Sequence, residues 1–214
     1  MKNIALKALL VASVLIPVAA LAQGSSLKTT VITKEDFDKI SQTEQSLSTK
    51  DENAMVIDIG GENFSLGIIH RGSTHTPPPA RPAGANANAA AAEPCGTQMA
   101  NVPADAIRGG LTHDHQTEGY YIVSGAGTMM VDGYIANGRH SMMPDPGGPN
   151  GPSCGGTAVG SRKVNVKVGD VIIVPAGVVH GWADIPDHVD YLSFRPSQHV
   201  MQAGWVNPTI ASSK

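Results

Sequence analysis

The sequence predicts an all-β domain, an antiparallel sandwich or small barrel, with a short helix and a hairpin ahead of it. Three observations predict it. Short apolar or β-branched runs follow one another through the second half of the chain, most of them separated by glycine, proline or aspartate. The 214 residues include 24 Gly and 15 Pro, which favours many short elements joined by turns over long helices. The hydrophobic share of 41% excludes wholesale disorder, and the length suits one domain, or one domain with appendages.

Residues 1–22 read as a secretory signal rather than as part of the fold. Lys2 and Lys7 precede an apolar run from Ala8 to Ala19, and Ala20-Leu21-Ala22 offers small residues at the two positions that signal peptidase reads. The run is short for a membrane span, the competing reading. Cleavage before Gln23 leaves 13 positive groups against 18 negative ones, a charge of −5. The expectation is a periplasmic or secreted protein with no membrane span after cleavage. The acidic balance argues against nucleic acid, which requires a basic surface.

Residues 23–75 form an N-terminal extension. Thr33-Lys34-Glu35-Asp36 reads as a capping box, with Phe37, Ile40 and Leu47 on the apolar side of a short helix. Met55 to Ile59 and Phe64 to Ile69 flank Gly60-Gly61-Glu62-Asn63, a hairpin signal. Residues 76–94 carry Pro77-Pro78-Pro79 and then an Ala/Asn-rich run, the composition of a linker or surface loop.

Residues 95–200 hold the strand candidates: Leu111 to His115, Gly119 to Val123, Gly127 to Val131, Lys163 to Val168, Val171 to Val174, His180 to Ala183 and Tyr191 to Phe194. A Pro/Gly-rich insertion from Met142 to Gly156 interrupts them and reads as a loop, either a lid or plain surface. Residues 201–214 are a tail. Two cysteines cannot build a four-cysteine zinc site. In an exported protein Cys95 and Cys154, each beside a glycine, suit a disulfide between loops. Two free thiols are the alternative.

The chemistry concentrates in His113-Asp114-His115-Gln116-Thr117-Glu118 and in His180. Histidines two apart on a strand face one side, so His113 and His115 can converge on one ion. Glu118 can point inward at the start of the next strand, and His180 can arrive from across a barrel. Three imidazoles and a carboxylate suit one divalent transition metal ion (Fe, Mn, Ni, Cu or Zn) with positions left for water or substrate. A surface role is the bland reading of one His-x-His.

The second motif, Gly169-Asp170-Val171-Ile172-Ile173-Val174-Pro175-Ala176-Gly177-Val178-Val179-His180, changes that balance. Here the chain strongly resembles the cupin superfamily. Gly169, Pro175, Gly177 and His180 fit its pattern G-x5-P-x-G-x2-H-x3-N, while His113, His115, Glu118 and Gly125 fit G-x5-H-x-H-x3-4-E-x6-G. The resemblance implies an antiparallel jelly-roll β-barrel with a metal held inside by His113, His115, Glu118 and His180. Three positions depart from it. Two residues rather than three or four separate His115 from Glu118, the opening glycine falls at Ile107, and the closing asparagine at Asp184.

Strand alternation places Tyr120 and Ile122 on the face of Glu118, with Tyr121 and Val123 opposite. Tyr120, with Glu118, is then the acid–base candidate. A packed wall residue is its alternative. Trp182 shares the face of His180, and Leu111, Ile122, Val178 and Trp182 are the pocket-lining candidates. Arg195 is either an anion binder or a surface ion-pair residue.

The expected function is that of an exported mononuclear metal enzyme acting on a small organic substrate, with oxygenase favoured over lyase, isomerase or decarboxylase. The alternative is a non-catalytic binding protein for a metal, sugar or small acid. A homodimer is expected, with the Met55 to Ile69 hairpin either extending a partner's sheet or covering its own barrel's edge.

Overall fold

The computed structural model describes residues 27–42, 49–76, 92–141, 151–197 and 200–211. The proposed signal segment, most of the Pro/Ala-rich linker and the proline-rich part of the insertion lie outside them. Among the described residues no helix is long and apolar enough to cross a membrane.

Helix α1 (Lys34–Gln42) opens on the capping box that the sequence predicts. Thr33 Oγ1 accepts from the Asp36 amide, and Asp36 Oδ2 accepts from the Thr33 amide, both at 3.2 Å. Strands β1 (Thr49–Asp58) and β2 (Asn63–Gly72) form the hairpin. Its turn is closed by Gly60 N donating to Asp58 Oδ1 (2.8 Å), with Gly60 and Gly61 both at positive φ. The hairpin lies within its own sheet, because β2 pairs along its length with the last strand of the chain. The outer edge of β1 is also taken: Val56 N donates to Trp205 O (2.9 Å) and Gly204 N to Val56 O (2.8 Å). Helix α2 (Pro208–Ala211) then packs Ile210 against Ile40 and Ala54.

The remaining strands are β3 (Pro94–Cys95), β4 (Ile107–His113), β5 (Glu118–Val131), β6 (Tyr134–Ser141), β7 (Ser153–Val159), β8 (Arg162–Lys167), β9 (Val171–Val174), β10 (His180–Asp184) and β11 (His188–Ser197). They run antiparallel in the order β1-β2-β11-β5-β10-β4-β7-β6-β3, with β8 and β9 also on β5. The antiparallel β-barrel expectation is met.

β5 joins the two walls. Its first half pairs with β11 and β9, its second with β8 and β10. The two strands expected at Gly119 to Val123 and Gly127 to Val131 are therefore one strand bent at Gly125. That residue has φ 68°, and a Cβ there would lie 2.0 Å from the His188 carbonyl oxygen. The barrel interior packs Ile69, Ile122, Met129, Val131, Val174, Val189 and Tyr191. Tyr121 and Val123 face outward, as alternation requires.

Three strand readings change. β4 ends at His113, two residues earlier than expected. Strand β7 begins at Ser153, inside the segment read as an insertion loop. β6 replaces a region with no expected strand. The Cys95–Cys154 disulfide joins β7 to β3, β6 pairs with both, and the sheet packs through glycines. A Cβ on Gly156 would sit 2.6 Å from Ile135 Cγ2 and 2.8 Å from the Gly138 Cα. Those glycines permit close sheet packing rather than turns.

Candidate metal centre and cavity

Three of the four expected donors come together. One ligand atom each from His113, Glu118 and His180 lies within 4.8 Å of the others, and all three side chains are buried. Glu118 Oε2 stands 3.1 Å from His180 Nε2 and 3.4 Å from His113 Nε2. The two motifs that supply these residues are tied by backbone. Gly177, at φ 79° in the turn before β10, donates its N–H to the His113 carbonyl (2.8 Å). That bond sets the turn presenting His180 against the end of the strand carrying His113.

His115 is not in this group. Alternation holds only while the chain stays extended, and it bends at Asp114 and His115 once Asp114 N bonds Pro152 O (2.9 Å). His115 is exposed and borders a separate shallow depression with Glu62, Asp114 and Thr117. Gln116 turns inward instead, and its Oε1 accepts from Gly151 N. The expected four-donor set becomes two imidazoles and one carboxylate.

Hydrogen bonds fix the tautomers. His180 Nδ1 faces the Val178 carbonyl (3.1 Å), which can only accept, so Nδ1 carries the proton. His113 Nδ1 faces Ser153 Oγ (2.7 Å). That hydroxyl donates its one proton to the Gly151 carbonyl (2.8 Å), so it accepts from Nδ1–H. When the imidazoles are neutral, each therefore aims an Nε2 lone pair at the same carboxylate oxygen. Three acceptors this close repel one another unless a cation lies among them. The donor set and its outer partners fit a borderline divalent metal ion. A proton on the imidazoles is the other cation that satisfies the geometry.

Glu118 is held from behind. Arg195 Nε donates to Oε1 (2.8 Å), and the Tyr120 hydroxyl makes a short hydrogen bond to Oε2. Burial opposes ionisation of this carboxyl, but the Arg195 charge, with His113 and His180 as hydrogen-bond donors when their Nε2 atoms carry protons, holds it well below the usual carboxylate range. Burial, then the Glu118 charge, pushes the Tyr120 phenol well up. Arg195 is no surface residue: it is 1% exposed, and its other nitrogens bind Asn53 Oδ1 (2.9 Å) and both oxygens of Asp51 (2.8 and 2.9 Å). Every face of its guanidinium is thus committed to the protein.

The donors open into a cavity of about 350 Å³. Leu111 and Trp182 line it, as expected, together with Tyr120, Ile185, Tyr191 and Arg71. Ile122 and Val178 do not. Ile122 is fully buried in the core, and Val178 packs against the core beside a different hollow. The sequence reading missed Arg71, Asp51 and Ser153. Arg71 and Asp51 come from the hairpin, where inward alternation along β2 (Asn63, Ser65, Gly67, Ile69, then Arg71) is the available signal. The Cys95–Cys154 bond, with Cα atoms 6.0 Å apart, realises the expected staple and lies next to Ser153.

A family model described as Cupin matches residues 87–213. Among solved structures, the chain is similar to a conserved protein with a double-stranded beta-helix domain from Klebsiella pneumoniae, at 11% identity and a TM-score of 0.37, over 81% of this chain and 94% of that one. A cupin protein from Bacteroides fragilis aligns at 10% identity and a TM-score of 0.33, over 85% and 92%. No curated protein matches.

Proposed function

The chain belongs to the cupin family, and from that membership and the three converging donors we propose that it is an exported mononuclear metal cupin, an enzyme acting on a small organic molecule. The observation that carries the proposal is the convergence of His113 Nε2, His180 Nε2 and Glu118 Oε2 in a buried cavity. His113, Glu118 and His180 would hold one divalent transition metal ion. Such an ion supplies Lewis acidity or access to dioxygen. Two imidazoles and one carboxylate with open positions suit ferrous oxygen chemistry, which supports an oxygenase over a lyase, isomerase or decarboxylase.

The protein's own groups do the rest. Ser153 and the Val178 carbonyl fix the two imidazole rings. Arg195 and Tyr120 fix the carboxylate. With its pKa raised, Tyr120 keeps its proton at neutral pH. It serves as a hydrogen-bond donor, to Glu118 in the resting cavity and to a substrate oxygen when that contact opens. Leu111, Trp182 and Ile185 exclude water from one side of the cavity.

One observation favours a second reading, a binding protein without turnover. Imidazolium rings at His113 and His180 would donate from Nε2 to Glu118, so the three side chains also fit together with no metal among them. Metal analysis separates the two. Protein recovered from its export route, or reconstituted, should carry about one equivalent of a transition metal, and His113→Ala and His180→Ala should lose it. Absence of any bound ion from the unsubstituted protein in both preparations overturns the metal reading.

Export is supported by the leader-like residues 1–22 and by the disulfide, a bond that persists in oxidising compartments. N-terminal sequencing of secreted protein should begin at Gln23. For assembly we keep a homodimer as the reading, since Tyr121, Val123, Val171 and Ile173 leave apolar side chains exposed on the paired strands β5 and β9. A monomeric mass by light scattering overturns it.

A further inference from the structure

Among the described residues, Arg71 is a cation of the cavity wall with no carboxylate in ion-pair contact. It follows Ile69 on the inward face of β2, half-buried. Its one hydrogen bond runs from Nε to the Tyr191 hydroxyl (3.2 Å), a neutral acceptor. No carboxylate among the described residues forms an ion pair with it. Asp51, whose charge acts on Arg71 from the same cavity wall, places both oxygens on Arg195 at 2.8 and 2.9 Å. Removing a guanidinium from water without pairing it is costly, and a planar fork with free terminal nitrogens matches a carboxylate in a bidentate arrangement.

Charge around the cavity points the same way. Arg195, behind the wall rather than in it, bridges Asp51 and Glu118, so that with Arg71 the two guanidinium and two carboxylate charges sum to zero. A bound divalent ion would make the cavity net positive, and an anionic ligand on Arg71 would offset that charge. The volume, about 350 Å³, is at the small end of the range for ligand cavities, so the occupant is small. The Trp182, Leu111 and Ile185 surfaces give it an apolar flank.

We propose that Arg71 is the anion-recognition residue of this cavity and that the ligand is a small organic acid, its carboxylate on the Arg71 terminal nitrogens and its body against Trp182. The inference rests on the reading of this cavity as a small-molecule site, and it names the substrate class for it.

The test is calorimetric titration of the metal-reconstituted full protein with malonate, succinate and benzoate, each beside its amide (malonamide, succinamide, benzamide). At least one acid should bind at millimolar concentration or better and exceed its amide by about tenfold or more. Arg71→Gln should remove that difference while metal content and thermal midpoint stay unchanged. Arg71→Lys, which keeps the charge but loses the fork, should fall between. Acids that bind no better than their amides, or equally well to Arg71→Gln, overturn the proposal, as does no saturable binding by any of the three acids. Arg71-dependent acid binding by protein that holds no metal would sustain it while removing the metal reading, so the two fail separately.

Discussion

Replacing Arg195 by methionine is the most demanding test of how the centre is held together. Arg195 is buried and donates to Glu118, Asn53 and Asp51 at 2.8 to 2.9 Å. The substitution keeps a similar apolar volume and removes the charge. Asp51 is 16% exposed and can recover water, whereas Glu118 is 2% exposed and cannot. The loss therefore falls on Glu118. Opposite charges about 4 Å apart interact by about 4 kcal/mol at an effective dielectric of 20. Breaking a buried pair by deleting one partner costs about 3–5 kcal/mol in practice. We expect Arg195→Met to lose about that much in urea unfolding of the metal-free protein, a large part of the about 5–15 kcal/mol that holds a domain folded. Glu118→Gln in the same chain should recover at least about 1.5 kcal/mol of it as coupling energy. If Glu118 is also a metal ligand, adding a divalent ion should stabilise Arg195→Met more than the parent, because the ion replaces the missing charge. A loss below about 1 kcal/mol, or a double-mutant cycle additive within about 0.5 kcal/mol, would refute the assignment of Arg195 as the counter-charge of Glu118.

Other outcomes follow from neighbouring contacts. Ser153→Ala removes the acceptor of the His113 Nδ1 proton, and metal affinity by competition with a chromophoric chelator should fall about 10–100-fold with the fold intact. Reducing Cys95–Cys154, or replacing both by serine, opens a link across 59 residues and should cost about 2–4 kcal/mol by thermal unfolding. Because Cys154 adjoins Ser153, metal affinity should fall in the same variant. Burial raises the phenol pKa of Tyr191, although Arg71 opposes the rise. A raised folded value means that the stability Tyr191 contributes is complete below the ordinary phenol pKa, about 10, and is lost as pH rises through the folded value. In a background where the exposed Tyr121 and Tyr134 are phenylalanine, tyrosinate absorbance should therefore appear together with alkaline unfolding, not before it. Full ionisation in a chain still folded by circular dichroism contradicts this.

The legible parts of the fold are those where one local rule decides the outcome. Gly169, Pro175 and Gly177 build turns whose geometry those residue types dictate, so the strand leading to His180 could be read directly. Thr33 and Asp36 close a box that depends on nothing distant. β6 and β7 were not legible for the opposite reason. Gly138, Gly155 and Gly156 look like turn residues, yet two of them are glycine because Ile135 and the neighbouring backbone leave no room for a Cβ. That is a tertiary cause with no local sign.

The displacement of His115 has a different origin, and the sequence did contain its signal. Counted forward from the His-x-His pair, Glu118 arrives one residue early. Counted backward from Glu118, four residues lie between it and His113, within the family's spacing for the histidine nearest the glutamate, and Glu118 to Gly125 is in register as well. On that count Leu111 occupies the place of the motif's first histidine. The structure agrees: Leu111 lines the cavity and pairs with His180 across β4 and β10, while His115 lies beyond the end of the strand. An apolar side chain in that place leaves the centre with one nitrogen donor fewer. Leu111 and Trp182 both line the cavity beside the three donors. Arg71 has no motif at all, because it enters the cavity on a hairpin outside both motifs, and only the pairing of β2 with β11 brings it there. The three side chains that form the centre are thus encoded within the two motifs. The residue proposed to choose its ligand is encoded some forty positions earlier and depends on the sheet being complete.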